Sequence, residues 1–271
     1  MPILQINEYL IDAHPARSVN SGQPPTRSLP RSEFLIIGTR QQLQKINISN
    51  ITVGDYDILP TTCVRNLGSW FDSEMTMNTH ITKACSAAFF HLHNIKRISK
   101  FLSHDSLSVL IHAFVTSRLD YCNSLLYGLP MTQITRLQRV QNAAARLISN
   151  TYRFDHITPI LHQLHWLPVL YRINFKIILL TFKAIHGLSP RYLQDIVTVR
   201  KESRYNLRSA NNGLFLDYPS GKMLPTLGDR AFAMAAPKLW NALPLHIRSE
   251  QRLASFKCKV KTFLFNVAFV N

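Results

Sequence analysis

The feature that most constrains this chain is an apolar spacing that begins near residue 80 and persists to about 185. Ile81, Cys85, Ala88, Phe89, Leu92, Ile95 and Ile98 recur at i, i+3 and i+4 across 80–100, a stripe that only a helix gathers onto one face. Ser103, a good N-cap, opens a second helix carrying Leu107, Leu110, Ile111, Phe114, Val115, Cys122 and Leu125, which Gly128-Leu129-Pro130 stops. Thr132 starts a third, with Ile134, Leu137, Val140, Ala144, Leu147 and Ile148 inward. A fourth runs over 168–185, with Pro168 suited to its first turn and Gly187 and Pro190 to its end. After an irregular stretch at 193–227, the tail predicts a short helix at 229–235, a Trp240-centred loop ending at Pro244, and a last helix at 253–265.

The upstream part reads differently. Residues 1–32 hold five prolines with Ser, Asn and Gly and no sustained period, which predicts disorder with at most one helical turn over 6–11. The run 33–39 (EFLIIGT) is apolar and closed by Gly38, as a buried strand would be. Strand-like pieces at 46–53 and 56–59 flank Gly54-Asp55, a hairpin turn signal, and 64–71 reads as one further strand. The expected fold class is therefore α+β, predominantly α: a small β-meander over 33–72, then a helical bundle and a helical C-terminal region.

Charge separates along the same line. The chain has 31 Lys and Arg against 15 Asp and Glu. Up to Glu74 there are six basic and seven acidic residues; after it there are 25 and eight. An excess of this size on an apolar, foldable body points to a polyanion and excludes a disordered polybasic tail. Cys63, Cys85, Cys122 and Cys258 are widely spaced with no Cys-x-x-Cys pair, as expected of reduced thiols in an intracellular protein. No secretory signal is visible, and the most apolar run, 177–180, is too short for a bilayer. The expectation is a soluble protein with no membrane partner.

Common catalytic signatures are missing from the sequence: there is no Gly-rich phosphate loop, no Gly-x-Ser-x-Gly elbow and no His-Glu-x-x-His. His156, His162 and His165 with Asp155, or His91 with His93, are the nearest approach to a metal set, although His91 and His93 point to nearly opposite sides of a helix. Asp55 with Asp57 and Asp72 with Glu74 are the close acid pairs, and both read as turn or surface groups. No small-molecule substrate is evident.

The basic residues are more informative on helical wheels. His93, Arg97 and Lys100 fall within about 60°, Arg139 and Arg146 about 20° apart, and Arg172, Lys176 and Lys183 within about 40°. A single such stripe is an ordinary solvated face. Three with few acidic neighbours are unusual, because surface helices mix signs to gain i,i+4 pairs. Rows of this kind track a phosphodiester backbone without reading sequence.

The stretches CVRNLGSWFDSEM, KACSAAFFHLHNIKRI, HAFVTSRLDYCNSLLYGLP, LQRVQNAAARLI, DHITPILHQLHWLPVLYRI, FKAIHGLSPRYL and GDRAFAMAAPKLWNALPLHIR closely resemble, in order, the C-terminal part of LINE-type (non-LTR) retrotransposon reverse transcriptases. The jockey and chicken-repeat-like branch fits best. The resemblance covers the chain from about Glu33 onward and implies a remnant of the palm edge and primer-grip region over 33–74, a thumb-like bundle over 75–150 and a basic C-terminal extension over 151–271. Residues 1–32 carry no likeness to the family. Arg31-Ser32 stands where the family usually has Lys-Thr, and Ser69 where a small aliphatic residue is common.

In that family the palm aspartates of a Tyr/Phe-x-Asp-Asp motif hold the catalytic Mg²⁺, and both they and the endonuclease would precede residue 33. The resemblance thus implies a truncated RNA-directed DNA polymerase fragment with no catalysis and no cofactor of its own. Its expected activity is non-specific binding of an RNA or DNA duplex backbone, with Arg97, Lys100, Arg139, Arg146, Arg172, Lys176 and Lys183 as phosphate contacts. The alternative, of another class, is a host-recruited or vestigial helical interaction module with no nucleic-acid role. Loss of the parent sheet also predicts exposure of Phe34, Ile36 and Ile37, hence aggregation of the full chain and better behaviour of one starting near Met75.

Overall fold

The computed structural model describes residues 3–7, 33–53, 56–152, 154–200, 214–219 and 228–269. The chain divides into two compact units, Met1–His80 and Ile81–Asn271. The class is α+β and predominantly α, as the sequence predicts.

The first unit holds strands β1 (Ile3–Asn7), β2 (Glu33–Ile37), β3 (Ile51–Val53), β4 (Tyr56–Ile58), β5 (Pro60–Thr61), β6 (Cys63–Asn66) and β7 (Ser69–Asp72), with one turn of helix, α1 (Arg40–Leu43), after β2. They form three separate ladders and not a continuous meander: β1-β2-β5, β3-β4 and β6-β7. Strand β2 is paired on both sides, antiparallel to β1 from Ile3↔Ile37 to Asn7↔Glu33 and parallel to β5. Phe34 and Leu35 are buried, and Ile36 and Ile37 half-buried.

Two expectations are corrected here. Residues 3–7 are a strand and not part of a disordered tail, and the β2 edge is not open. Proline content describes the residues around Ile3–Asn7 but carries no information on a ladder, which exists only when a distant partner strand is in place. The rest of 1–32 lies outside the described residues, as does Gly54-Asp55, although β3 and β4 pair antiparallel on either side of it.

The run 64–71 is a hairpin and not a single strand. Leu67 and Gly68 both take positive φ, 45° and 84°, the requirement of a two-residue turn whose twist matches its strands. Leucine is a poor marker for that conformation, which hid the turn. The hairpin is tied back by the Gly38 N–H to the Ser73 carbonyl at 3.0 Å and the Ser73 N–H to the Thr62 carbonyl at 3.2 Å.

Helix α2 (Asn78–Ile98) follows, then α3 (His104–Ile111), a π-helical segment His112–Thr116, and α4 (Ser117–Asp120). Ser103 caps α3 as expected, accepting from the Ser106 N–H at 3.2 Å. The second helix ends earlier than its apolar pattern predicts. Cys122 adopts the left-handed region at φ 51°, which a non-glycine residue rarely takes, and a short 3₁₀ turn Asn123–Leu126 replaces the rest. Gly128, also at positive φ, leaves no room for a side chain: a Cβ there would lie 2.6 Å from Arg230 Cγ.

Helices α5 (Met131–Ser149), α6 (Ile157–Gln163), α7 (Val169–Ile185), α8 (Arg191–Gln194), α9 (Phe232–Asn241), α10 (Leu245–Arg248) and α11 (Leu253–Phe269) complete the second unit. Helix α5 packs against both α6 and α7, so the 75–150 and 151–271 regions share one body beyond residue 80. One of its apolar cores joins Ile178 and Phe182 of α7, Trp240 of α9, and Phe256, Val260 and Leu264 of α11. Phe182 and Phe256 stack at 4.1 Å, and Trp240 lies 5.7 Å from Phe256. Trp240 sits in a helix and not in the expected loop, its Nε1–H donating to the Leu214 carbonyl at 2.7 Å. Pro237 lies inside α9 and is buried; burial of Ala235, Ala236 and Trp240 on that helix outweighs the hydrogen bond that proline removes. No described helix is long and apolar enough to cross a membrane.

Candidate nucleic-acid interface

The apolar stripes of α2 and α5 decide where their charges go. On α2, Ile81, Cys85, Ala88, Leu92 and Ile95 are buried; on α5, Ile134, Leu137, Val140, Ala144 and Ile148 are. Phe89 and Ile98, expected on the inner face of α2, are 44% and 46% exposed. The two helices are tied by the Arg136 guanidinium, which donates to Thr82 Oγ1 at 2.7 Å. Burial pushes the Cys85 thiol above its ordinary range, against the opposing pull of Arg136; it is a neutral core side chain.

Beside that seam lies a groove of about 900 Å³. His93 and Lys96 of α2 and Arg139 and Arg146 of α5 line it, with Asn142, Asn150 and Thr151 as neutral polar groups and Phe89 as an exposed aromatic. Among the described residues no carboxylate lines it. Arg146 donates to the Asp155 carbonyl at 3.2 Å, while its buried Nε–H has no partner. Asn150, on the groove lining, takes the left-handed conformation that ends α5. In a groove free of acidic groups, an anionic backbone meets attraction along the whole length.

The seven residues expected on phosphate are thus divided. Arg139 and Arg146 share the groove. Arg97 lines a separate depression of about 490 Å³ with His91, Ile95, Leu110 and Phe114. Lys100 lies in a 3₁₀ turn after α2, its Nζ 4.8 Å over the Phe101 ring. Arg172 is committed to the fold: it bonds Asp120 at 2.7 Å and the Leu167 carbonyl at 2.9 Å, with its side chain 17% exposed. Lys176 lies near Arg172 in a third cavity, and Lys183 is half-buried on α7 away from all of these.

Sequence reasoning missed Lys96, Asn142 and Asn150. Lys96 was within reach, since it stands three residues after His93 on one helix face. The other two depend on how α5 ends and on its angle to α2.

The metal candidates disperse. His162 and His165 pack on the Phe265 ring at 5.0 and 5.7 Å, and His91 stacks on Phe114 at 5.3 Å. Among the described residues no three His, Cys, Asp or Glu gather as a metal would need. Asp57 accepts from Thr52 Oγ1 at 2.6 Å across the β3–β4 pair, and Asp72 accepts from the Thr76 N–H at 2.7 Å, both turn or surface roles. No protein-family model matches the chain, and no curated protein or solved structure matches it at significance.

Proposed function

We propose that this chain is a C-terminal fragment of a LINE-type reverse transcriptase that holds a duplex by its phosphate backbone and performs no polymerisation itself. The observation that carries the reading is the α2–α5 groove, where His93, Lys96, Arg139 and Arg146 face a channel that, among the described residues, no carboxylate lines. The exposed Phe89 ring offers a stacking surface to a frayed base, a sequence-tolerant contact. The ordered likeness of the sequence motifs to that family supports a template–primer duplex as the polyanion and 75–150 as the thumb-like part.

The test is a salt titration of binding to RNA and DNA duplexes. Affinity is expected to fall linearly on log–log axes, and Lys96→Ala and Arg139→Ala are each expected to lower the slope by about one. Arg172→Met is the contrast: it costs roughly 1–2 kcal/mol of stability by removing the bonds to Asp120 and the Leu167 carbonyl and leaves the slope unchanged. No binding at low salt, or a slope indifferent to Lys96 and Arg139, overturns the reading.

A second reading, a helical interaction module, is favoured by one observation. Ile98 and Phe114 line the Arg97 depression and are exposed, and the exposed Phe90 ring packs edge-on against His91 of its lining, more apolar surface than a lone helix face needs. Flat salt dependence together with self-association or partner capture lost in Phe114→Ser would favour it.

A further inference from the structure

The second unit contains another cavity, of about 610 Å³, within the size range of small-molecule sites. Four features set it apart from a solvent-filled crevice. Asn123 is 4% exposed, lines the cavity, and its Oδ1 accepts no hydrogen bond from the described residues; a buried acceptor left unmade is costly and calls for a donor. Asp120 stands beside it on the lining, held by Arg172 through Oδ2 and still 41% exposed. Lys176 and Lys261 bring two exposed ammonium groups to the same lining and make no ion pair among the described residues. Trp166 and Phe175 add flat apolar surface.

The backbone around this cavity is irregular in three places, one of them His165 of its lining at φ 53°. His112, on its lining, opens the π-helical segment His112–Thr116, and Cys122, next to Asn123, is the non-glycine residue at φ 51°. Such features are expensive to hold and concentrate at functional sites. Burial, with the nearby Arg172 guanidinium, keeps the His112 imidazole below its ordinary range, against the pull of Asp120, so it presents a neutral ring. The ring lies 5.3 Å from Trp166 in an edge-on arrangement.

A simple anion would satisfy the lysines but would face the Asp120 carboxylate and the unpaired Asn123 oxygen. An apolar ligand would leave all four polar groups unused. The ligand that answers the whole lining has a flat apolar body, N–H donors and an anionic group. We propose that this cavity binds a single unstacked nucleotide, the base donating to Asn123 Oδ1 and Asp120 and the phosphate held by Lys176 and Lys261. Such a nucleotide is either free or the unpaired end of a strand. The inference does not rest on the α2–α5 groove, which shares no residue with this cavity.

Equilibrium dialysis of the full-length protein tests it, with guanosine and adenosine monophosphate as free ligands and a trinucleotide as the strand. Saturable binding of one nucleotide unit per chain is expected, weakened about tenfold by Lys261→Ala and by Asn123→Leu and unchanged by Lys45→Ala, at an exposed lysine that lines neither the groove nor this cavity. Binding of the monophosphates identifies the free nucleotide as the ligand; binding of the trinucleotide alone identifies the strand end. Lys261 is exposed, so its variant keeps the fold and decides the matter if Asn123→Leu does not fold. No saturable binding of either up to about millimolar concentration, displacement by inorganic phosphate as effectively as by nucleotide, or affinity indifferent to Lys261 overturns the proposal.

Discussion

The first unit is held by backbone ladders of two to five residue pairs, with Phe34, Leu35 and Val64 as buried apolar side chains. The second is held by side chains: three stacked aromatics, Phe182, Trp240 and Phe256, join helices that lie far apart in sequence. Charge follows the same division, with six basic and seven acidic residues up to Glu74 and 25 and eight beyond it. Short ladders gain little apolar burial per residue, whereas packed aromatics supply both area and specific geometry. The basic excess therefore sits on the better-packed scaffold, where a row of cations keeps a fixed spacing.

That contrast can be broken at its strongest point first. Trp240→Ala removes the largest fully buried side chain and the Nε1–H bond to Leu214. It is expected to cost about 3–5 kcal/mol, read as a lower denaturant midpoint for loss of the helical signal. A cost below about 1 kcal/mol would show that the aromatic cluster is not what holds the second unit.

A smaller effect is expected from the ladder side. Deleting Ile3–Asn7 uncovers the outer edge of β2 and is expected to lower the local opening free energy of Glu33–Ile37 by roughly 2–3 kcal/mol. Amide hydrogen exchange of those residues reads it, while the far-UV helical signal stays as it was. This replaces the expectation that the full chain aggregates through an open β2 edge: the truncated chain is now the one expected to associate. Unchanged exchange would mean that β1 contributes nothing to the unit.

The smallest expected effect is a pH dependence confined to the first unit. His80 is buried and accepts the Trp70 N–H through Nδ1 at 3.4 Å, and burial holds its imidazole below the ordinary 6.5. Between the ordinary value and the lower folded one, the unfolded chain binds more protons. The stabilisation is therefore complete above about pH 6.5 and lost as pH falls toward the folded value. Hydrogen exchange of the β6–β7 amides, followed downward from neutral pH, is expected to accelerate in that window, and His80→Gln is expected to flatten the response. An identical profile in the variant would assign the pH dependence to other groups.

Sequence alone determined the long helices α2, α5 and α7 and the charge division. The stripe of Ile81, Cys85, Ala88, Leu92 and Ile95 and that of Ile134, Leu137, Val140 and Ala144 are local periodicities, and a helix is the one conformation that gathers them. Ser103 and Pro168 marked helix starts because their chemistry acts on the next few backbone groups. Tertiary structure decided the rest. It placed Arg139 and Arg146 with Lys96 in one groove, locked Arg172 onto Asp120, and gave β2 a partner in Ile3–Asn7. It also left Asn123 with a buried oxygen that the described residues do not answer. Those outcomes join residues tens of positions apart, and spacing along a chain carries no information on which distant side chains share a cavity, an ion pair or a ladder.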